Sequence, residues 1–221
     1  MKKFLLLSLA LICFKAAELR AQDIQYGIRA GINNSNWGGN ATDFLEEVIS
    51  FENAFSTRNR TGYQFGGYLV LPITSKFVVE PALMYSTKGQ EVYQNLFKKS
   101  FLNPRLTVSN NSHYIDLPIM AKYYIKDGFH VFGGPQVSYM LFNKIKTEAG
   151  ILGMDVIDQN MFLNAPLRKF DFSMAAGIGY QFQNGINISA GYDHGFTSLD
   201  KWGRTDINNR VIRASVGYTF K

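Results

Sequence analysis

A side-chain alternation with a period of two recurs along this chain, and it limits the possible folds more than any single motif does. A strand sends successive side chains to opposite faces. Over residues 24–33, Ile24, Tyr26, Ile28, Ala30 and Ile32 share one face, while Gln25, Gly27, Arg29, Gly31 and Asn33 share the other. The same apolar/polar split recurs over residues 63–71, 77–86, 115–125, 130–141, 170–182, 186–193 and 212–220. It is cleanest where Phe170, Phe172, Met174, Ala176, Ile178, Tyr180 and Phe182 oppose Asp171, Ser173, Ala175, Gly177, Gly179 and Gln181.

These segments predict eight antiparallel strands. Thr74-Ser75, Lys126-Asp127-Gly128 and Gln183-Asn184-Gly185 supply short turns after the second, fourth and sixth strands. The remaining links are long. Short turns at one end and long loops at the other are the layout of an all-β, up-and-down transmembrane barrel with its short turns in the periplasm. Pro81, Pro118 and Pro135 conflict with this reading, because a closed barrel has no free edge for them. Bulges are expected there.

The N-terminus reads as an export signal. Lys2 and Lys3 precede the apolar run Phe4–Phe14, and Ala21 offers a cleavage point before Gln22. Residues 1–21 are therefore assigned to a signal peptide and 22–221 to the barrel. Lipidation at Cys13 is disfavoured because Ile12 stands where a small residue is wanted. Cleavage after Ala21 would remove the single cysteine, excluding disulfide, thiol and zinc–thiolate chemistry. It would also lower the formal charge from +6 to +3, so the basic balance is weak evidence for acidic partners. Beyond the signal, no apolar run reaches the roughly 18 residues of a membrane-spanning helix.

An eight-stranded barrel can also be soluble, with its apolar side chains lining a cavity. The glycines decide between the two. Gly27, Gly31, Gly66, Gly177, Gly179, Gly191 and Gly217 lie on the polar face, as a narrow interior requires. Phe170, Phe172 and Phe182 lie on the other face, as lipid requires. The chain closes on an alternation ending in Tyr218 and Phe220, which resembles the C-terminal signal read by the barrel assembly machinery.

Phe77-Val78-Val79-Glu80-Pro81-Ala82-Leu83-Met84-Tyr85-Ser86-Thr87-Lys88-Gly89 resembles the third strand of PorT-like outer-membrane β-barrel proteins of Bacteroidetes-type bacteria. Tyr114–Tyr123, Phe132–Tyr139 and Gly191–Phe196 resemble the fourth, fifth and seventh strands. The resemblance spans essentially the whole chain after the signal, and the family's pattern carries prolines at these places. It implies an outer-membrane location more firmly than any activity. The family's namesake is a component of a protein-secretion pathway.

Inward Arg29, Glu80, Asp116, Lys122, Asp171, Asp193 and Arg213 cannot stay unpaired in a narrow lumen, so a salt-bridged plug is expected, with Glu80–Lys122 as its first pair. A small gated pore is the alternative. A lipid A-modifying enzyme would need serine, histidine and an orienting group together. Asp193, His194 and Ser198 are candidates, but Ser112 and His113 point to opposite faces, and His130 lies at the periplasmic end. In the first long loop, Asp43 and Glu46 form a capping-box pattern. Phe44, Val48, Phe51 and Phe55 then fall on one helical stripe, either packed as a lid or offered to a partner. Residues 89–112 and 143–166 are the other expected loops. No phosphate loop, metal cluster or nucleic-acid surface is recognisable, and no cofactor is expected. The reading is therefore a non-enzymatic barrel with a structural, adhesive or secretion-associated role. Its expected contacts are outer-membrane lipid, the assembly machinery and a protein partner at the extracellular loops.

Overall fold

A computed structural model describes residues 24–38, 55–95, 105–151, 154–161, 168–199 and 208–220. The assigned signal peptide lies outside these residues, as do Phe44, Val48 and Phe51. The strands are β1 (Gln25–Gly38), β2 (Phe55–Pro72), β3 (Phe77–Asn95), β4 (Arg105–Lys126), β5 (Phe129–Ile151), β6 (Met154–Met161), β7 (Phe170–Gln181), β8 (Ile186–Gly195) and β9 (Asn208–Phe220). Phe55 opens β2 opposite Gln94, so strand pairing and not the helical stripe holds that position.

Every neighbouring pair is antiparallel, and β1 pairs with β9 to close the wall. Eight strands make the barrel. The ninth, β6, pairs with β5 beyond the point where β5 leaves β7. At the seam, Phe220 of β9 stacks on Tyr26 of β1 with ring centroids 5.1 Å apart.

The faces sort as a membrane barrel demands. Ile28, Ile32, Phe65, Leu83, Leu117, Ile119, Phe170, Ile178, Ile212 and Val216 are exposed on the outside. Glu80, Asp116, Lys122, Gln136, Ser138 and Asp171 are buried inside. A soluble barrel would invert this arrangement. Large residues also enter the lumen where glycine makes room. The Phe132 ring lies over Gly177 and Gly191, and a Cβ at Gly177 would sit 2.5 Å from it. Beside β1, a Cβ at Gly27 would meet the Tyr68 phenol at 2.3 Å.

The short turns come from local chemistry. Asp127 and Gly128 both have positive φ, 48° and 86°, as a two-residue hairpin of matching twist requires. Gly185, with φ 92°, serves the turn between β7 and β8.

Two sequence expectations need correction. Segments 89–112 and 143–166 are not simply loops, because β3, β4, β5 and β6 continue through much of them. β4 has 22 residues and β5 has 23, where about 9–11 cross a bilayer. The alternation fades there because both faces leave the lipid, while the backbone ladder continues. Nor do the prolines mark bulges. The β2–β3 ladder skips Pro81, the β3–β4 ladder skips Pro118 and the β4–β5 ladder skips Pro135, each time with the same register on either side. Each proline keeps its ladder place with its other neighbour: Pro81 opposite Ile119, Pro118 opposite Gln136, Pro135 opposite Met174. The missing N–H interrupts one side of the strand, and the gaps form a row across β2 to β5. The register shifts lie elsewhere: between Asn59 and Gln64, His113 and Tyr114, Tyr124 and Lys126, and Ala149 and Gly150.

Candidate functional site

Two regions could carry function: the lumen and the strand extensions beyond the hydrophobic band. The lumen is built in layers. A vestibule of about 990 Å³ opens among the short turns, lined by Gln25, Tyr124, Gln181, Asn184 and Thr219, and reaches inward to Glu80.

There Glu80 binds two cations. Its Oε1 lies 2.8 Å from Arg29 Nη1, and its Oε2 accepts from Lys122 Nζ. The Arg29 guanidinium sits over the Tyr68 ring, 4.4 Å from its centroid. The Tyr68 hydroxyl in turn accepts from Asn187 Nδ2 at 2.8 Å and pairs with Thr219 Oγ1 at 2.9 Å. β1, β2, β3, β4, β8 and β9 all contribute to this one layer.

Above it the enclosed space shrinks to about 30 Å³, between Met84, Met120, Phe132 and Arg213. That volume holds a water or two. The next layer joins Arg213 to Asp193 at 2.5 Å, and Arg213 also donates to Gln136 Oε1 at 3.3 Å. Further out, Lys88 Nζ donates to Asp116 Oδ1 at 2.9 Å and to Ser138 Oγ at 3.1 Å, while Ser86 donates to Asp116 Oδ2 at 2.7 Å. Asp171 accepts from Asn209 Nδ2 at 2.8 Å.

The structure therefore places Arg29, Glu80, Asp116, Lys122, Asp171, Asp193 and Arg213 on the inward face. That set alone holds one more carboxylate than cations. Lys88, outside the set expected from the sequence, supplies the missing charge. Glu80, Asp116, Asp171 and Asp193 are matched by Arg29, Lys88, Lys122 and Arg213. Lys88 shares its face with Glu80, Met84 and Ser86, so extending the β3 alternation two residues would have found it.

Beyond Ser86, Thr87 to Gln90 are buried whichever way they point. Ser35 Oγ donates to Gly89 O at 2.9 Å and accepts from Gly89 N at 2.9 Å, tying β3 to β1 past the irregular stretch of β2. Leu199, after β8, is also fully buried.

Asp193 and His194 do not converge. Asp193 turns inward to Arg213, whereas His194 Nδ1 lies 3.4 Å from the Tyr192 hydroxyl. Ser112 donates to Asn143 Oδ1 at 3.2 Å, while neighbouring His113 meets the Tyr85 hydroxyl at 2.5 Å. His130 packs against Tyr124 and contacts Gly128 O at 3.1 Å. Among the described residues no group of His, Cys, Asp and Glu is placed to hold a metal.

Outside the membrane band, β2 to β6 run on as an extension of the same nine-stranded sheet. Residues 55–59 of β2 pair with β3, 90–95 of β3 with β4, 105–110 of β4 with β5, and 145–151 of β5 with β6. Among the described residues, its first and last strands have a ladder partner on one side only.

The family model for the outer membrane protein beta-barrel domain matches residues 20–201. Among solved structures, the chain is similar to Ail, the attachment invasion locus protein of Yersinia pestis. The identity is 16%, over 89% of this chain and 98% of that one, with a TM-score of 0.43. Neisserial surface protein A is 11% identical over 88% and 97% of the two chains, with a TM-score of 0.43. The outer membrane protein OprG from Pseudomonas aeruginosa is 12% identical over 89% and 95%, with a TM-score of 0.38. No curated protein matches.

Proposed function

The chain belongs to the family of outer membrane protein beta-barrel domains, and on that premise we propose that its barrel is a closed, non-enzymatic anchor for a protein-docking sheet outside the cell. The observation that carries this reading is the sheet itself. Its terminal strands, residues 55–59 and β6, each pair on one side among the described residues. An open edge presents unpaired N–H and C=O groups and can add a strand from another protein. An adhesive or secretion-associated role needs such a surface and needs no chemistry in the lumen.

Two geometries favour this over the alternatives. A gated pore would have to pass the Glu80 layer and the 30 Å³ constriction above it. A lipid-modifying enzyme would need Asp193 and His194 on the same face. The finer placement among PorT-like proteins rests on the strand motifs. Export by residues 1–21, lipid contact along the apolar wall and recognition of Tyr218 and Phe220 by the assembly machinery complete the proposal.

The test replaces residues 146–160 with a short Gly/Ser linker. The shortened protein should keep the altered gel mobility of a folded barrel and fail to complement a deletion strain. Full complementation by that variant would sink the docking role.

A further inference from the structure

The outer wall changes chemistry sharply at one level. Ile32, Tyr63, Phe65, Phe142 and Phe170 are exposed at the end of the apolar band nearest the long strand extensions. Beyond them stand Arg58, Arg60, Lys144, Arg168, Lys169 and Arg210, all at least partly exposed. Among the described side chains of that rim, Glu91 is the outward carboxylate. The opposite rim carries Lys76, Lys126 and Asp127.

The basic groups are densest on β2, β4 and β5. His113 stacks on Phe142 with centroids 4.3 Å apart, and Lys144 Nζ lies 5.4 Å from the centre of the same ring. Arg60 and Lys144 are both within electrostatic reach of His113. Just beneath the rim, three buried polar atoms lack a protein hydrogen-bond partner: His113 Nε2, Arg60 Nε and Asn111 Oδ1. The nearest carboxylate holds Arg60 loosely, with Glu91 Oε1 at 3.6 Å from Nη1.

We propose that Arg58, Arg60 and Lys144 bind the phosphate groups of a lipid headgroup in the outer leaflet, above the buried His113 ring. Guanidinium forks suit phosphate oxygens, and aromatic rings settle at the headgroup level. The lipid's acyl chains then lie along Tyr63, Phe65 and Phe142, directly below the cations. A free phosphate would gain nothing from those rings, so the occupant is a membrane lipid. Apart from Arg58, which lies on the β2 edge strand of the docking sheet, the site uses the barrel wall, so R60Q/K144Q tests it separately from the sheet edges.

The full chain, purified in detergent, is titrated with diphosphorylated lipid A and the bound lipid is counted by native mass spectrometry. The R60Q/K144Q variant should bind about 30-fold more weakly, because each cation near a lipid surface contributes roughly a factor of five. The K76Q/K126Q control at the opposite rim should match the parent. The charge-keeping R60K/K144R variant should stay near the parent, and the exposed single change Arg58→Gln should lose several-fold affinity if the double variant does not fold. Phosphate-free lipid A should bind as weakly as the double variant does. Equal losses at the two rims, unchanged binding in R60Q/K144Q, or inorganic pyrophosphate binding as tightly as the lipid would each overturn the proposal.

Discussion

Lys88 reaches Asp116 from the neighbouring strand, Nζ to Oδ1 2.9 Å, and both side chains are buried. The pair closes the charge balance of the lumen. Removing one member of a buried pair typically costs about 3–5 kcal/mol, because the other charge stays in place without its partner. Lys88→Met should therefore lower the urea midpoint of the folded barrel, and Lys88→Met with Asp116→Leu should recover most of the loss. A single variant as stable as the parent would show that Ser86 and Ser138 satisfy Asp116 unaided.

The same logic makes the barrel electrically quiet. The parent protein in planar bilayers should give no sustained current steps, since the cavity above Glu80 holds about 30 Å³. A stable conductance of porin size would mean that the layers separate under voltage, and the anchor reading would fall.

Orientation can be read on intact cells. Cys13 is the single cysteine of the chain, so introduced thiols report cleanly if residues 1–21 are cleaved off. Arg168→Cys should react with a membrane-impermeant maleimide, while Asn184→Cys in a short turn should react only after the outer membrane is breached. The reverse pattern would invert the barrel.

The turn between β4 and β5 depends on glycine. Gly128 has φ +86°, and a Cβ there would lie 2.1 Å from Gln181 O. Gly128→Ala should cost about 1 kcal/mol or more in the same urea measurement, whereas Asp127→Gly should be tolerated, because its φ of 48° already favours glycine.

Phe220 separates packing from recognition. Its ring stacks on Tyr26 across the seam. If the assembly machinery reads the last strand, Phe220→Ala should reduce the folded fraction recovered from cells much more than Tyr26→Ala does. Equal reductions would assign the effect to the seam alone.

The wall was legible in the sequence because its two faces meet opposite solvents. Ile28 and Arg29 could not exchange places, so the period survives in the residues. Lys88 carries no such mark, because Thr87, Lys88 and Gly89 show no apolar face, although both sides of the strand are buried there. The reach of β4 over Arg105–Asn111 was invisible for a related reason: once lipid is left behind, nothing selects alternation while the hydrogen-bond ladder continues. The inward set could be chosen by parity, but which cation meets which carboxylate depends on stagger between strands, and that has no local signature.

The row of vacancies at Pro81, Pro118 and Pro135 gives the wall a preferred line of compliance. A cylinder laced evenly by hydrogen bonds resists squeezing equally around its circumference, but this one is unlaced at adjoining steps on one side. Lateral pressure from the bilayer should be taken up there as a hinge-like flexing of β2 to β5. Backbone amides opposite the gaps, such as those of Leu69, Ala82 and Ile119, should then exchange deuterium sooner than their counterparts in β7 to β9.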